Sequence, residues 1–282
     1  MSPLRLSKLH ATGNDFLVVA GTCRPDQDAV IAVCDRHLGI GADGLILLGP
    51  PDSGGHHSMA LWNADGAPAE MSGNGIRCLA WVAQRNGSAD GRRLLVAAAA
   101  GTREVALELD ERGDVAFATV DMGAVTFEPA AIPLDAPSAF DLEATFHGVT
   151  YHGDAAGMGN PHLVLAVDDP ASARVTQHGP RLERDTRFPQ RTNVEFVAVT
   201  GVDELTLRVW ERGVGETLSC GTGACAAAAV AHRRGRVGER VTVHVPGGDL
   251  TVELDATVHL RGPVQHVFDV DVDPRRFGWE PS

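Results

Sequence analysis

Glu211-Arg-Gly-Val-Gly-Glu-Thr-Leu-Ser-Cys220-Gly-Thr-Gly-Ala-Cys-Ala-Ala-Ala-Ala229 is the stretch on which the reading of this chain turns. Cys220 stands directly before Gly221-Thr222-Gly223, and an apolar run from Ala224 to Ala231 follows at once. The pattern predicts a buried helix that opens on a thiol. Unbonded N–H groups and the positive end of the helix dipole favour an anion at such a place, and the thiolate form of a cysteine with it. Glu211, Arg212 and Glu216 approach just before it, so a reactive cysteine facing a small charged ligand is the expectation.

The same arrangement occurs once more. Ser72-Gly-Asn-Gly-Ile-Arg-Cys-Leu-Ala-Trp-Val-Ala83 aligns with Cys220-Gly-Thr-Gly-Ala-Cys-Ala-Ala-Ala-Ala-Val-Ala231, 148 positions later. Gly13-Asn14-Asp15-Phe16 aligns with Gly159-Asn160-Pro161-His162 at an offset of 146. Two matches at nearly one offset predict an α/β (α+β) chain of two pseudo-symmetric domains. Each is a strand-rich, barrel-like sheet wrapped around a central apolar helix, with the active site in the interdomain cleft. The halves are placed at residues 1–122, with 268–282 returning to the first, and at 123–267.

Between these landmarks a helix is expected over Asp28–His37. Strands are expected over Gly44–Leu48, Met59–Trp62, Leu94–Ala99, Arg103–Leu109 and Val115–Met122. Pro50–His57 is read as a polar turn, with His56 and His57 in a solvated loop. Phe127–Pro137, with three prolines, is read as the linker. Phe146–His152 is read as one strand, and Leu163–Val167, Thr206–Glu211, Val241–Val245, Leu250–Leu254, Val258–Arg261 and Val264–Val270 as others. Arg233-Arg234-Gly235-Arg236 is read as a charged helix end.

Composition narrows the chemistry. A formal charge of −13 over 282 residues argues against a nucleic-acid surface, which needs clustered positive charge. No run of about 18 apolar residues predicts a membrane span, and five irregularly spaced cysteines make neither a disulfide framework nor a zinc site. A reducing, cytoplasmic setting is expected. Lys8 is the only lysine against 23 arginines, and no phosphate-cradling loop accompanies it, so a pyridoxal-phosphate mechanism is not expected and no cofactor is required. Two proton carriers at paired helix starts suit racemisation or epimerisation, in which one group removes a proton from one face of a carbon and another delivers one to the opposite face. The N–H groups of the Gly-x-Gly turns would take up charge on a substrate carboxylate.

The chain resembles the diaminopimelate epimerases, cofactor-independent two-base enzymes. The segments that carry the resemblance are His10–Phe16, Gly39–Gly44, Trp62–Gly66, Ala69–Cys78, Gly159–His162, Thr192–Phe196 and Glu211–Cys225, in the family's order. The resemblance implies epimerisation of LL-2,6-diaminopimelate to the meso form, for lysine and peptidoglycan synthesis, by a homodimer. It implies Cys220 as a catalytic base, with His162 and Glu211 assisting. Asn14, Asn63, Asn160, Asn193, Glu211 and Arg212 would hold an amino dicarboxylate, with Gly73-Asn74 and Gly221-Thr222 at the reacting carboxylate.

The family's first catalytic cysteine falls on Ser72. A hydroxyl is a far weaker acid than a thiol, so Ser72 is not a ready-made base at neutral pH, although it can donate or relay a proton. Cys78, six residues on, is read as core. Three explanations stand at this point: a Ser/Cys epimerase slower than a two-cysteine enzyme, a chain disabled by a Cys→Ser exchange, or a one-base relative with dehydratase-like or other isomerase chemistry. A catalytically silent amino-dicarboxylate binder is the reading from another class.

Overall fold

A computed structural model describes residues 3–54, 56–69, 72–87, 92–98 and 101–279. Glu70 and Met71 of the motif before Ser72, Gly55 of the expected turn, Ala99 of an expected strand and the last three residues of the returning segment lie outside the described residues. The chain divides into two units, one of residues 1–120 with 262–282 and one of residues 121–261.

The first unit runs β1 (Leu4–Ala11), β2 (Asn14–Ala20), α1 (Gln27–Cys34), β3 (Gly44–Pro51), β4 (His56–Asn63), β5 (Pro68–Ala69), α2 (Gly73–Arg85), β6 (Arg93–Ala98), β7 (Gly101–Leu109) and β8 (Val115–Asp121). The second runs β9 (Leu142–Phe146), β10 (Val149–Gly157), β11 (Pro161–Ala166), α3 (Val175–Leu182), β12 (Asn193–Gly201), β13 (Glu204–Glu211), β14 (Gly215–Thr217), α4 (Gly221–Arg233), β15 (Arg240–Val245), β16 (Gly248–Leu254) and β17 (Val258–Pro263). Then β18 (Gln265–Val272) adds antiparallel to β1.

The two topologies match strand for strand. In the first unit β1–β2 is antiparallel, β2–β3 parallel, β3–β4 and β4–β5 antiparallel, β4–β6 parallel, and β6–β7 and β7–β8 antiparallel. In the second, β10–β11, β11–β12, β12–β13, β13–β14, β13–β15, β15–β16 and β16–β17 repeat that series of directions. Each parallel pair needs a crossover. The crossovers are the short helices α1 and α3 and the long helices α2 and α4. The repeat seen in the sequence is therefore a repeat of connectivity.

Each long helix has 13 residues, of which the first 11 are buried. Helix α2 packs on β1, β2, β3, β4 and β7, and α4 on β10, β11, β12, β13, β15 and β16. Strands β3 and β12 are each touched by both a short and a long helix. Each starts with six consecutive buried residues, as a doubly covered strand should, rather than alternating. Helix α4 is lined by Ala224, Ala226, Ala227, Ala228 and Ala229, whereas α2 presents Ile76, Leu79, Trp81 and Val82. Helix α4 ends where Arg234 pairs with Asp154 and Asp141 (Nε to Asp154 Oδ2 2.8 Å, Nη2 to Asp141 Oδ1 2.7 Å), as expected of its basic cluster.

Several expectations are corrected. Phe146–His152 is not one strand. His147 and Gly148 take positive φ values of 48° and 77°, and this turn separates β9 from β10. The proline-rich segment 127–137 is not a loose linker, since Ile132 and Leu134 are buried in the second unit's core with Tyr151, Leu163 and Phe196. His57 is not solvated: it lies in β4 at 2% exposure, with Nδ1 3.0 Å from the Gly49 carbonyl. Helix α1 stops at Cys34 because the Asp35 carboxylate takes the N–H groups of His37 and Leu38, both at 2.7 Å, which otherwise would extend the helix.

Candidate active site

In the second unit, Cys220 is the N-cap of α4, with extended backbone (φ −123°, ψ 113°) and 5% exposure. Its Sγ lies 3.4 Å from Thr222 Oγ1. Strand β13 ends at Glu211 and turns back through Arg212–Val214 into β14, with Val209 opposite Thr217. Two residues along a strand return a side chain to the same face. Thr217 therefore reaches Glu211, and its hydroxyl donates to Oε1 at 2.5 Å.

Behind these groups is a carboxylate that the sequence reading left without a role. Glu195, on β12, is fully buried, and its Oε1 is 2.7 Å from His162 Nδ1. The other ring nitrogen of His162, Nε2, is 2.8 Å from Asn160 Oδ1. Glu195 Oε2 is buried with no hydrogen-bond partner among the described residues. The carboxylate lies against the first turn of α4: a Cβ added to Gly223 would come within 2.7 Å of Oε1. The one signal for it in the sequence was its place in Thr192–Phe196, two residues past Asn193 and so on the same strand face.

These neighbours reverse the expected electrostatics of the thiol. Burial first, then the charges of Glu211 and Glu195, push the Cys220 thiol well above its ordinary value; Thr222 and the Gly223 N–H oppose them more weakly. Burial and Glu195 also raise the Glu211 carboxyl, against the hydrogen bonds from Thr217 and Cys220. The helix start alone predicted a thiolate. Burial, with the two carboxylates adding to it, overrules the helix start, because a dipole contribution of ~0.5 charge is small beside the cost of an anion in a dry, acidic site.

The other predicted residues of this unit sit on the same framework. Asn193 is buried, its Oδ1 accepting from the Arg212 N–H and its Nδ2 donating to the Pro161 carbonyl, each at 2.9 Å. It thus ties the start of β11 to the turn after Glu211. Arg212 donates through Nη1 to the Gln190 carbonyl at 3.3 Å. Buried Glu183 braces that turn from behind, accepting from Trp210 Nε1 at 2.8 Å and from the Gly213 N–H at 3.1 Å. Asn160 follows Gly159, whose φ of 83° makes the turn into β11.

In the first unit, Ser72 is the N-cap of α2, again with extended backbone (φ −142°, ψ 117°). Its Oγ accepts the Gly75 N–H at 2.9 Å, the ordinary bond of a capping serine. Asn74 is buried, and its Nδ2 donates to Asn14 Oδ1 at 3.3 Å. Asn63 ends β4, where its N–H donates to the Ala67 carbonyl and its carbonyl accepts from Gly66 in the following turn, each at 2.9 Å. Cys78 is fully buried and pushed up to about 12 by that burial, which makes it a core thiol. Among the described residues no group of three or more His, Cys, Asp or Glu is arranged to hold a metal, no disulfide joins the cysteines, and no helix is long and apolar enough to cross a membrane.

The diaminopimelate epimerase family model matches residues 6–128 and 155–267. A diaminopimelate epimerase of Moorella thermoacetica is 44% identical over 273 residues, covering 94% of this chain and 97% of the relative. One of Burkholderia thailandensis is 40% identical over 291 residues, covering 96% and 98%. Among solved structures, a hydroxyproline epimerase of Agrobacterium vitis superposes with a TM-score of 0.74 at 18% identity, covering 99% of this chain and 96% of that one. A predicted epimerase of Pseudomonas aeruginosa gives 0.72 at 20% identity, covering 96% and 99%. At such identities these two speak for the fold, which is the epimerase fold of paired α/β units. Sequence and architecture agree that the chain belongs to the diaminopimelate epimerase family.

Proposed function

We propose that this protein epimerises LL-2,6-diaminopimelate to the meso form at the α-carbon, without pyridoxal phosphate, using one proton carrier from each helix start. The observation that carries the proposal is the equivalence of Ser72 and Cys220: each is the N-cap of a 13-residue buried helix that opens on Gly-x-Gly, at the same point of one topology. The N–H groups of those first turns suit a carboxylate whose charge grows as the α-proton leaves.

The surroundings of Cys220 support one order of events. With Glu211 and Glu195 beside it, the thiol rests protonated. A substrate ammonium group docking beside Glu211 and Cys220 supplies the missing positive charge and lowers the cost of the thiolate, whose proton leaves to solvent as the substrate binds. Cys220 then acts as base toward the α-carbon, and His162, held between Glu195 and Asn160, assists. Ser72 accepts the Gly75 N–H and so keeps its own hydroxyl hydrogen to deliver to the carbanion. In reverse a serine is a poor base, and α-proton exchange through Cys220 runs ahead of epimerisation for one of the two epimers.

Asn14, Asn63, Asn160, Glu211 and Arg212 hold the ends of the substrate in this reading, with Gly73-Asn74 and Gly221-Thr222 at the reacting carboxylate. Asn193 acts by fixing the Arg212 turn. A role in lysine and peptidoglycan synthesis and a cytoplasmic homodimer complete the assignment. The family resemblance supports both, and light scattering checks the dimer. The decisive experiment incubates LL- and meso-diaminopimelate with the protein in heavy water. Deuterium at the α-carbon together with interconversion is expected. Binding with no deuterium uptake would leave a silent binder and defeat the proposal.

A further inference from the structure

Two motifs, Gly39–Gly44 and Gly73–Cys78, contain charged residues to which the reaction gives no part. Arg77 is fully buried. Its Nη1 donates to the Gly73 carbonyl at 3.0 Å, its Nε to the Pro263 carbonyl at 3.3 Å and its Nη2 to Asn74 Oδ1 at 2.8 Å. Asn74 Nδ2 donates to Asn14 Oδ1 at 3.3 Å, and Asn14 Nδ2 donates to Asp43 Oδ2 at 2.8 Å. Asp43 is itself held: Oδ2 also accepts the Asp15 N–H at 3.0 Å, and Oδ1 accepts Arg36 Nη2 at 2.6 Å. A single chain of hydrogen bonds therefore runs from the Arg77 guanidinium through two amides to the Asp43 carboxylate.

The ends of the chain decide its direction. An amide is nearly symmetric in shape, and which end is oxygen is ordinarily an open choice. A guanidinium can only donate and a carboxylate can only accept. With one at each end, both asparagines are held the same way round, oxygen toward Arg77 and nitrogen toward Asp43. Reversing either amide would set donor against donor or acceptor against acceptor at both of its bonds.

We propose that Asp43 and Arg77 are positioning residues that fix the polarity of the Asn14 and Asn74 amides. The substrate then meets a predetermined donor and acceptor instead of an amide that must turn on binding. Asn14 keeps one Nδ2 hydrogen and one Oδ1 lone pair beyond the chain, and these are what it offers. The consequence for substrate rests on the proposed function, in which Asn14 and Asn74 contact the amino acid. The polarity itself does not.

Asp43→Asn tests both parts, since it keeps the size of the side chain but can present either end. For LL-diaminopimelate, KM is expected to rise about tenfold with kcat lowered less than about threefold, the loss of one charge-assisted bond that orders a binding group. A purely structural role would lower the melting temperature and leave KM where it was. In the ligand-free protein, side-chain amide NMR resonances of Asn14 are expected to shift in Asp43→Asn, and those of Asn74, which does not touch Asp43, to shift with them. Asp43→Ser, which also can either donate or accept, gives the same readouts if Asp43→Asn does not fold. An unchanged KM in active enzyme, or Asn74 resonances that stay in place, would overturn the proposal. If the wild-type protein turns over no diaminopimelate, the functional reading fails while the Asn74 resonances still decide the polarity.

Discussion

The starts of α2 and α4 share a connectivity, a length and a Gly-x-Gly turn, and they differ in what surrounds the N-cap side chain. At α2, Ser72 does what a serine does at a helix start: it caps Gly75, and the polar groups near it are amides ordered by Arg77 and Asp43. At α4, Cys220 leaves that capping position without a side-chain bond and instead faces Thr222, Glu211 and Glu195. One start is built to hold a neutral group in place. The other buries a thiol beside two acids, and burial and their charges both favour its protonated form. A repeat of fold thus carries two unlike helix starts, and the difference lies in side chains contributed by neighbouring strands.

Removing the thiol should produce the largest effect. Cys220→Ala is expected to lower α-proton exchange by at least about 10³-fold, the scale of losing a positioned proton carrier. Exchange measured by mass spectrometry in heavy water checks it, and retained exchange would place the base elsewhere. Making the halves alike comes next. Ser72→Cys is expected to speed epimerisation by roughly 10²-fold while costing about 1 kcal/mol of stability through the lost cap. Polarimetric rates and thermal melts read the two effects, and no gain in rate would mean that Ser72 is not on the proton path. The smallest expected effect is electrostatic. Glu195 raises both Cys220 and Glu211, so Glu195→Gln should let the Cys220 thiolate form at a lower pH. Its ultraviolet absorbance during a pH titration, against a Cys220→Ala background, gives the midpoint; a midpoint that does not move would show Glu195 to be electrically silent.

Much of this was legible in the residues. Hydrophobic runs closed by glycine located α2 and α4, and the Gly-Asn turns at an offset of 146 with the helix starts at an offset of 148 announced the duplicated topology. What was not legible came from contacts distant in sequence. Nothing local to Glu195 or Asp43 says that one lies under the first turn of α4 or that the other ends a chain begun at Arg77, 34 residues on. The resting protonation of Cys220 is not legible in sequence for the same reason. A helix start is visible in sequence, whereas the carboxylates that oppose it arrive from β12 and β13. The segment 127–137 misled because three prolines signal a stiff extended chain equally well in a linker and in a core-lining loop, and only the burial of Ile132 and Leu134 separates the two.

The alanine-lined α4 has a consequence for how this protein can change. A helix whose buried face is mostly methyl groups lets strands approach its axis closely and leaves little side chain to remove. Substitution there can hardly open a void; nearly every replacement adds volume that the strands must absorb, at about 1–3 kcal/mol each. Around Ile76, Leu79 and Trp81 of α2 the common accident runs the other way, toward cavities. The two central helices thus have opposite tolerances to residue size: random mutation should damage α2 mainly by shrinking its buried side chains and α4 mainly by swelling them.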